Sequence, residues 1–217
     1  MDGETLEARI NLGRARAAAH VGRDVAVYRP VDVSAPLINR LYVIPAAFNA
    51  ADPKYVKPNL YGKPVWFGDF DGAQTQPGDY LVRLNDGAVW FVAAQQPLLP
   101  IVCVSCNRKL ALLRPEKQTA VGVVGYGGEY PANLDTPLGD EGRLWPASVL
   151  QGRKSQGATA LPASVKELLW EILLPVSARF RIRAADILVD DVRTRYIVQS
   201  AESTDLGWRI QAESAHS

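Results

Sequence analysis

Residues 79–93 read Asp79-Tyr-Leu-Val-Arg-Leu-Asn-Asp-Gly-Ala-Val-Trp-Phe-Val-Ala93, and residues 186–199 read Asp186-Ile-Leu-Val-Asp-Asp-Val-Arg-Thr-Arg-Tyr-Ile-Val-Gln199. Each stretch has an Asp, a β-favouring run that ends in Leu-Val, a polar turn and an aromatic–aliphatic run. The second turn is one residue shorter. Such short apolar runs separated by Asn, Asp and Gly are typical of β-hairpins. Because a lone hairpin cannot bury its apolar face, each copy is expected to belong to a small sheet or barrel.

The rest of the chain predicts mainly β structure with one substantial helix. The helix is expected over Glu4–His20, with Asp2 as N-cap and Gly22 as the stop. Its apolar stripe is expected to consist of Leu6, Ile10, Gly13, Ala17 and Val21. Further strands are expected at Asp24–Pro30, Ile38–Ile44, Val102–Leu113, Phe180–Ile182 and Gly207–Glu213, and Trp66–Phe70 is a short aromatic run. The pattern of Leu168–Leu174 fits a helix or a strand, and its length favours a strand.

The predicted fold is two small β-barrel or sandwich-like modules with an N-terminal helix and long extended loops. Residues 1–115 are expected to hold the helix and the first module, 116–164 a connector with extended loops, and 165–217 the second module. Segments 45–64 and 116–164 are rich in Pro and Gly and poor in periodic apolar residues. Ordering the backbone costs about 1–2 kcal/mol per residue, so we expect these segments to pack mainly against other subunits or other proteins.

Composition and charge argue against several classes of protein. The 217-residue chain has a formal net charge of +1, whereas a protein that coats nucleic acid needs a large basic excess. No apolar run approaches the roughly 20 residues of a membrane span. The first residues, Met1-Asp2-Gly3-Glu4, lack the basic-then-apolar layout of a signal peptide. The protein is therefore expected to be made in the cytoplasm.

The two cysteines, Cys103 and Cys106, form one C-x-x-C motif. Such a motif can be a redox pair or half of a zinc site. Zinc needs four ligands, and the only histidines, His20 and His216, lie at opposite ends of the sequence. The surrounding run predicts a strand, in which positions i and i+3 point to opposite faces. Two reduced cysteines packed as small apolar side chains are the favoured interpretation, and a thiol-dependent enzyme is the less favoured alternative.

Other motifs do not assemble a reactive site. Asp69 and Asp71 would share a strand face, but without a third carboxylate or a His they are interpreted as solvated turn residues. The set Asp186, Asp190 and Asp191 lacks the spacing of a calcium loop. The glycine-rich run 122–128 and the segment 152–155 lack the context of phosphate-binding loops. We therefore assign no catalytic, cofactor-binding or metal-binding residue, and we expect a protein that is not an enzyme.

Two sets of residues are candidates for contacts with partners. The first is a row of arginines spaced seven residues apart, namely Arg9, Arg16 and Arg23. The row is interpreted as a solvated helix face, and the less favoured interpretation is a docking face for an acidic surface or a phosphate backbone. The second is the tryptophans, most of them expected in the core and any in long loops expected at interfaces: Trp66, Trp90, Trp145, Trp170 and Trp208.

Several phrases carry a resemblance to a known group of proteins. In the C-terminal half they are Trp170-Glu-Ile-Leu-Leu-Pro175, Ala185-Asp-Ile-Leu-Val-Asp-Asp191, Arg195-Tyr-Ile-Val198 and Asp205-Leu-Gly-Trp-Arg-Ile-Gln-Ala212. In the N-terminal half they are Tyr28-Arg-Pro30, Ala47-Phe-Asn49, Pro77-Gly-Asp-Tyr-Leu-Val82, Gln96-Pro-Leu-Leu-Pro-Ile101 and Cys106-Asn-Arg108. The chain resembles small β-barrel neck proteins of tailed bacteriophages, namely head-completion, stopper and adaptor proteins. Ala185 departs from the Gly that usually precedes this Asp.

The resemblance implies a non-enzymatic virion component, made in the host cytoplasm. Such a protein assembles as a homo-oligomeric ring between portal and tail, with portal and tail proteins as partners. The resemblance also allows non-specific contact with packaged DNA, and it implies no cofactor and no membrane. The structural alternative is a tail or baseplate adaptor that attaches fibres.

Overall fold

The computed structural model of the chain describes residues 2–31, 35–49, 63–115, 135–137, 144–152, 169–179 and 181–215. Within these ranges the fold is mainly β, as predicted, with one long helix, α1 (Gly3–Val21), and thirteen strands. No helix in the described part of the chain is long and apolar enough to cross a membrane.

Six antiparallel strands close into a first barrel in the order β1-β2-β3-β6-β5-β4. Inward-facing apolar side chains, including Val25, Leu81 and Val92, fill its interior and are fully buried. The strands are β1 (Arg23–Tyr28), β2 (Arg40–Asn49), β3 (Val65–Asp69), β4 (Tyr80–Arg83), β5 (Val89–Ala94) and β6 (Ile101–Cys106).

The second sheet has the order β11-β12-β13-β10-β9-β7-β8, and an added pairing of β11 with β7 closes a circuit of six of its strands. Starting at β7, that circuit runs β7-β9-β10-β13-β12-β11. It therefore has the same topology as the first barrel, with the short β8 appended. The strands are β7 (Arg108–Pro115), β8 (Asp135–Pro137), β9 (Trp145–Gln151), β10 (Leu169–Leu174), β11 (Ile187–Asp190), β12 (Arg195–Thr204) and β13 (Gly207–Ala215).

Strand registers show that the two barrels match residue by residue. Leu81 lies opposite Val27 and Trp90, and Leu188 lies opposite Leu112 and Tyr196. Both barrels have a register shift directly after a valine at the equivalent position. The shift lies between Val92 and Ala94 in the first barrel and between Val198 and Ser200 in the second. The two predicted hairpins are thus confirmed, and the duplication extends over whole barrels.

The strand pairing moves the predicted module boundaries. The first barrel ends at Cys106, and β7, which the sequence interpretation placed in the first module, is the first strand of the second barrel. The break falls at Asn107, whose side chain accepts from the Val149 N–H and donates to the Val149 carbonyl, both at 2.8 Å. Strand β9 lies inside the expected connector, so the second barrel takes strands from both sides of residue 164.

Two further expectations were wrong where the structure describes them. Arg181 and Ile182 are not in a strand, although Ile182 is buried. Of the two segments expected to pack against other molecules, residues 45–49 belong to β2, and residues 135–137 and 145–151 are strands of the second barrel. Within these two segments, residues 50–62, 116–134, 138–143 and 153–164 lie outside the described residues.

Helix α1 extends one residue beyond the predicted Glu4–His20 at each end, and it presents a different face to the barrel. Asp2 caps it by accepting from the Thr5 N–H at 2.8 Å, as expected. The predicted apolar stripe is wrong, because Leu6 is 39% exposed and Val21 is 73% exposed. The helix instead buries Ala18, and the Arg14 guanidinium donates to the Leu99 carbonyl at 2.6 Å. Because small and polar side chains make the contact between α1 and the barrel, the spacing of apolar residues in the sequence does not predict it.

Gly22 ends α1 for a reason other than a left-handed turn. Its φ is −79°, which any residue can adopt. A Cβ atom at this position would lie 2.8 Å from the Ala46 carbonyl and 2.5 Å from the Ala18 oxygen. The glycine therefore allows the chain to pass close to β2 as it enters β1.

Candidate functional site

The two barrels meet through the outer face of strands β4 to β6. Tyr80 and Phe91 point away from the first barrel's interior and are buried in the cluster that contains the core of the second barrel. The Tyr80 hydroxyl donates to the Pro146 carbonyl at 2.7 Å, and its ring centroid is 6.2 Å from that of Trp145. Burial raises the pKa of Tyr80 well above its ordinary value, so the hydroxyl remains a neutral donor. The barrels therefore share one apolar junction.

In each barrel, a buried aspartate directly before the fourth strand accepts two hydrogen bonds from one arginine. Arg29 donates to both Asp79 oxygens at 2.8 and 2.7 Å, and Arg114 donates to both Asp186 oxygens at 2.9 and 2.8 Å. The aspartates are 1% and 3% exposed, whereas about a third of each arginine side chain is exposed. The carboxylate hydrogen bond raises the pKa of each arginine. We call these two pairs the clamps.

The backbone around both clamps is also the same. The Gln76 N–H donates to Asp79 at 3.0 Å, and the Arg183 N–H donates to Asp186 at 2.8 Å. The residue before each aspartate has a positive φ, 94° at Gly78 and 70° at Ala185. The departure from Gly at Ala185 thus leaves the turn unchanged.

A cleft of about 220 Å³ opens where the first clamp meets the second barrel. Arg29, Gln76 and Gly78 line it from one side, and Val176, Ser177 and Arg179 from the other. The Ser177 hydroxyl donates to the Gly78 carbonyl at 2.7 Å and holds the two walls together. The cleft is polar and shallow, and Arg179 is its exposed cation.

The cysteines lie on β6 with their side chains on opposite faces, as the strand interpretation predicts. Cys103 is fully buried inside the first barrel, and Cys106 packs against the shared junction cluster. Both are free thiols. Burial raises the pKa of each thiol far above its ordinary value, which suppresses the reactive thiolate.

The acidic residues considered as ligands have local structural roles. Asp69 accepts from the Asn49 amide at 3.1 Å, and Asp71 caps the short 3-10 helix Gly72–Gln74. The buried Asp190 accepts from the Thr194 N–H at 2.7 Å and from the Tyr196 hydroxyl at 3.0 Å, and so closes the second hairpin turn. Among the described residues, no group of three or more His, Cys, Asp or Glu side chains is arranged to hold a metal ion.

The remaining sequence candidates are dispersed. His20 and Arg16 lie exposed on α1, and Arg23 begins β1, so the predicted row of three arginines is not on one helix. Trp66 and Trp90 belong to the first barrel's core, and Trp145, Trp170 and Trp208 belong to or pack against the second cluster. His216, the glycine-rich run 122–128 and residues 153–155 lie outside the described part of the chain.

Sequence reasoning missed the clamps, although their signal was present. An Arg-Pro dipeptide marks the end of the first strand of each barrel: Arg29-Pro30 directly follows β1, and Arg114-Pro115 are the last two residues of β7. An aspartate opens each duplicated hairpin. Comparisons of the chain with protein-family models, with curated proteins and with solved structures found no match in any of the three. The resemblance to phage neck proteins therefore remains a hypothesis based on short motifs.

Proposed function

We propose that the protein is a structural subunit of a tailed-bacteriophage neck, a head–tail connector that assembles as a ring between portal and tail. The observation that carries this proposal is the pair of equivalent barrels joined by a shared apolar junction. One subunit thereby presents two similar surfaces in series, which suits a protein placed between two neighbours along an axis. Ring copies multiply weak contacts, so modest interfaces suffice.

Exposed apolar side chains on the first barrel support contacts with neighbouring subunits. Leu41 and Val43 on β2 are 36% and 44% exposed, and Leu84, directly after β4, is 52% exposed. Strand β1 lies between them, where the small Ala26 pairs with Val43 on one side and with Val82 on the other. Ala26 itself is fully buried, so the exposed apolar side chains lie on either side of it. Exposed apolar side chains on neighbouring strands are common at protein–protein interfaces. We call Leu41, Val43 and Leu84 the apolar face.

Catalysis by the thiols is disfavoured by their surroundings. A nucleophilic cysteine needs an electropositive and partly exposed position that lowers its pKa. Cys103 is fully buried and Cys106 is partly buried, and burial raises the pKa of both thiols instead of lowering it. A connecting role accounts for the two barrels without requiring any reactive group.

The test is complementation of a phage that lacks the gene, followed by electron microscopy of the particles. Loss of a connector should leave filled or leaking heads beside separate, complete tails. The variant Val43→Glu should give the same defect, whereas Val192→Glu, at a residue that is 60% exposed in the second hairpin turn, should restore joined particles. Joined particles that lack only fibres would instead identify a tail or baseplate adaptor and overturn the proposal.

A further inference from the structure

Three exposed arginines lie in the loop that runs from the first clamp to the second. Arg179, Arg181 and Arg183 occupy alternate positions in the loop that leads from β10 to β11, and all three are exposed. Arg179 lines the cleft that Arg29 also lines, and the Arg181 carbonyl accepts from Arg114 at 2.7 Å. We call these three residues the arginine strip.

No described carboxylate neutralises the strip. The two clamp aspartates, Asp79 and Asp186, are already held by Arg29 and Arg114. None of the strip arginines makes an ion pair with a carboxylate of a described residue, so the strip carries three positive charges that are not offset.

The first barrel provides an internal comparison that separates structure from function. Its matching loop, residues 70–79, carries Gln74 and Gln76 and contains no arginine or lysine. Gln76 supplies the same backbone N–H to Asp79 that Arg183 supplies to Asp186. The clamp therefore uses the backbone of this position and not its side chain. The guanidinium group of Arg183 is therefore not needed for the clamp, and the presence of three arginines in only one copy of this loop suggests a role outside the barrel.

We infer that the arginine strip binds the phosphate backbone of nucleic acid without reading its sequence. Guanidinium groups offer forked donors that match phosphate oxygens. A protein-binding surface would place apolar or aromatic side chains at its centre. Among the described residues of this loop, Val176 is the exposed large apolar side chain, the exposed Ala184 and Ala185 are small, and Ile182 is buried. The near-neutral whole chain does not conflict with this inference, because three local charges suffice for weak contact.

The expected strength follows from counter-ion release. Three phosphate contacts give a slope of log K against log salt of roughly −3, so affinity for duplex DNA should fall roughly 40-fold between 50 and 200 mM salt. Anisotropy of a fluorescent DNA duplex, measured with the full chain, gives this slope directly. We expect the triple variant Arg179→Gln, Arg181→Gln and Arg183→Gln to bind at least ten-fold more weakly at 50 mM salt and to lose most of the slope.

The matched control removes the same charge elsewhere. Lys109→Gln, Arg193→Gln and Arg209→Gln together change the net charge equally, and all three residues are exposed on the second barrel. This control should retain nearly the wild-type slope. Equal loss in both triple variants, or none in the strip variant, would overturn the inference. So would strip-dependent binding of polyglutamate without binding of DNA, which would identify an acidic protein as the partner.

The inference rests on the proposed function only for the source of the DNA, which in a neck is the packaged genome. The binding assay uses purified protein and needs no virion. A strip variant that loses DNA binding but still joins heads to tails would leave the connector proposal intact. Conversely, wild-type DNA binding by a protein that is dispensable for joining would refute the connector proposal alone.

Discussion

The clamps should be the most sensitive polar contacts in the protein, and Asp186→Asn tests this with almost no change in shape. The substitution removes the negative charge that accepts two hydrogen bonds from Arg114 and one from the Arg183 N–H. Breaking a fully buried ion pair costs about 3–5 kcal/mol, because one charge stays buried without its partner. The Arg114 side chain is 32% exposed, so water screens part of this loss. We expect about 2–3 kcal/mol of lost stability.

The duplication supplies both a replicate and a control for this measurement. Asp79→Asn removes the equivalent contacts with Arg29 and Gln76 and should cost the same within about 0.5 kcal/mol. Glu171→Gln breaks the pair with Arg209 at 2.8 Å, whose side chains are 38% and 56% exposed, and should cost no more than about 0.5 kcal/mol.

Urea unfolding followed by circular dichroism measures all three variants. With a slope of about 2 kcal/mol per molar urea, each clamp variant should unfold at roughly 1 M lower urea than the wild type. A clamp variant that shifts no more than Glu171→Gln would refute the reasoning that the buried carboxylates stabilise the barrel ends. A clear shift in only one clamp variant would show that the copies share geometry but not energetics.

Sequence patterns predicted the elements whose determinants are local. The two hairpins follow from alternating apolar residues and polar turns, and α1 begins at a capping Asp2 that is visible in the sequence. Closure of each barrel was not predictable in this way. It depends on β1 pairing with β4 and on β7 pairing with β11, and the latter strands lie more than 70 residues apart in the chain. No local pattern encodes such pairings.

The missed boundary has a similar cause. The run from Val102 to Leu113 reads as one apolar stretch, yet β6 closes the first barrel and β7 opens the second. The chain leaves the first barrel at Asn107, whose side chain forms hydrogen bonds with the backbone of Val149, a residue 42 positions away. Likewise, the Arg-Pro dipeptides and the hairpin aspartates recur in the sequence, but only the fold shows that each arginine pairs with a buried aspartate.

Three further predictions follow from single residues. Ala185→Gly should stabilise the protein by up to about 1 kcal/mol, because glycine adopts the positive φ of this position without strain. Gly78→Ala should destabilise it by about 1–2 kcal/mol, since the added Cβ would lie 3.0 Å from the Ser177 side chain. Urea unfolding measures both changes. Cys103 should resist alkylation in the native state and react after unfolding, as scored by mass spectrometry. Above about pH 9 the thiols of the unfolded chain ionise, whereas the thiols of the folded protein, whose pKa is raised, remain protonated. The free energy of unfolding should therefore fall as pH rises. Thermal melts at several pH values should show a smaller fall for Cys103→Ala.

The differences between the two barrels constrain how subunits can associate. The face that joins the first barrel to the second carries Tyr80, Phe91 and Val104. By strand register, the equivalent positions on the second barrel are Ile187, Ile197 and Glu213. A glutamate in place of Val104 would place a charge in the centre of a repeated junction, which is costly without a partner.

A head-to-tail fibre built by repeating the internal junction is therefore disfavoured. Ile197 remains 39% exposed at that position, as expected for a face that water covers. The apolar face on the first barrel carries no charge of the kind that Glu213 places on the second barrel. Its residues Leu41, Val43 and Leu84 are exposed and uncharged. If subunits associate through the apolar face, growth proceeds sideways from the first barrel and leaves the second barrel free. Lateral association of this kind closes into a ring when the rotation between neighbours permits it. In such a ring, the second barrels of all subunits, with their arginine strips, lie at the same height along the ring axis.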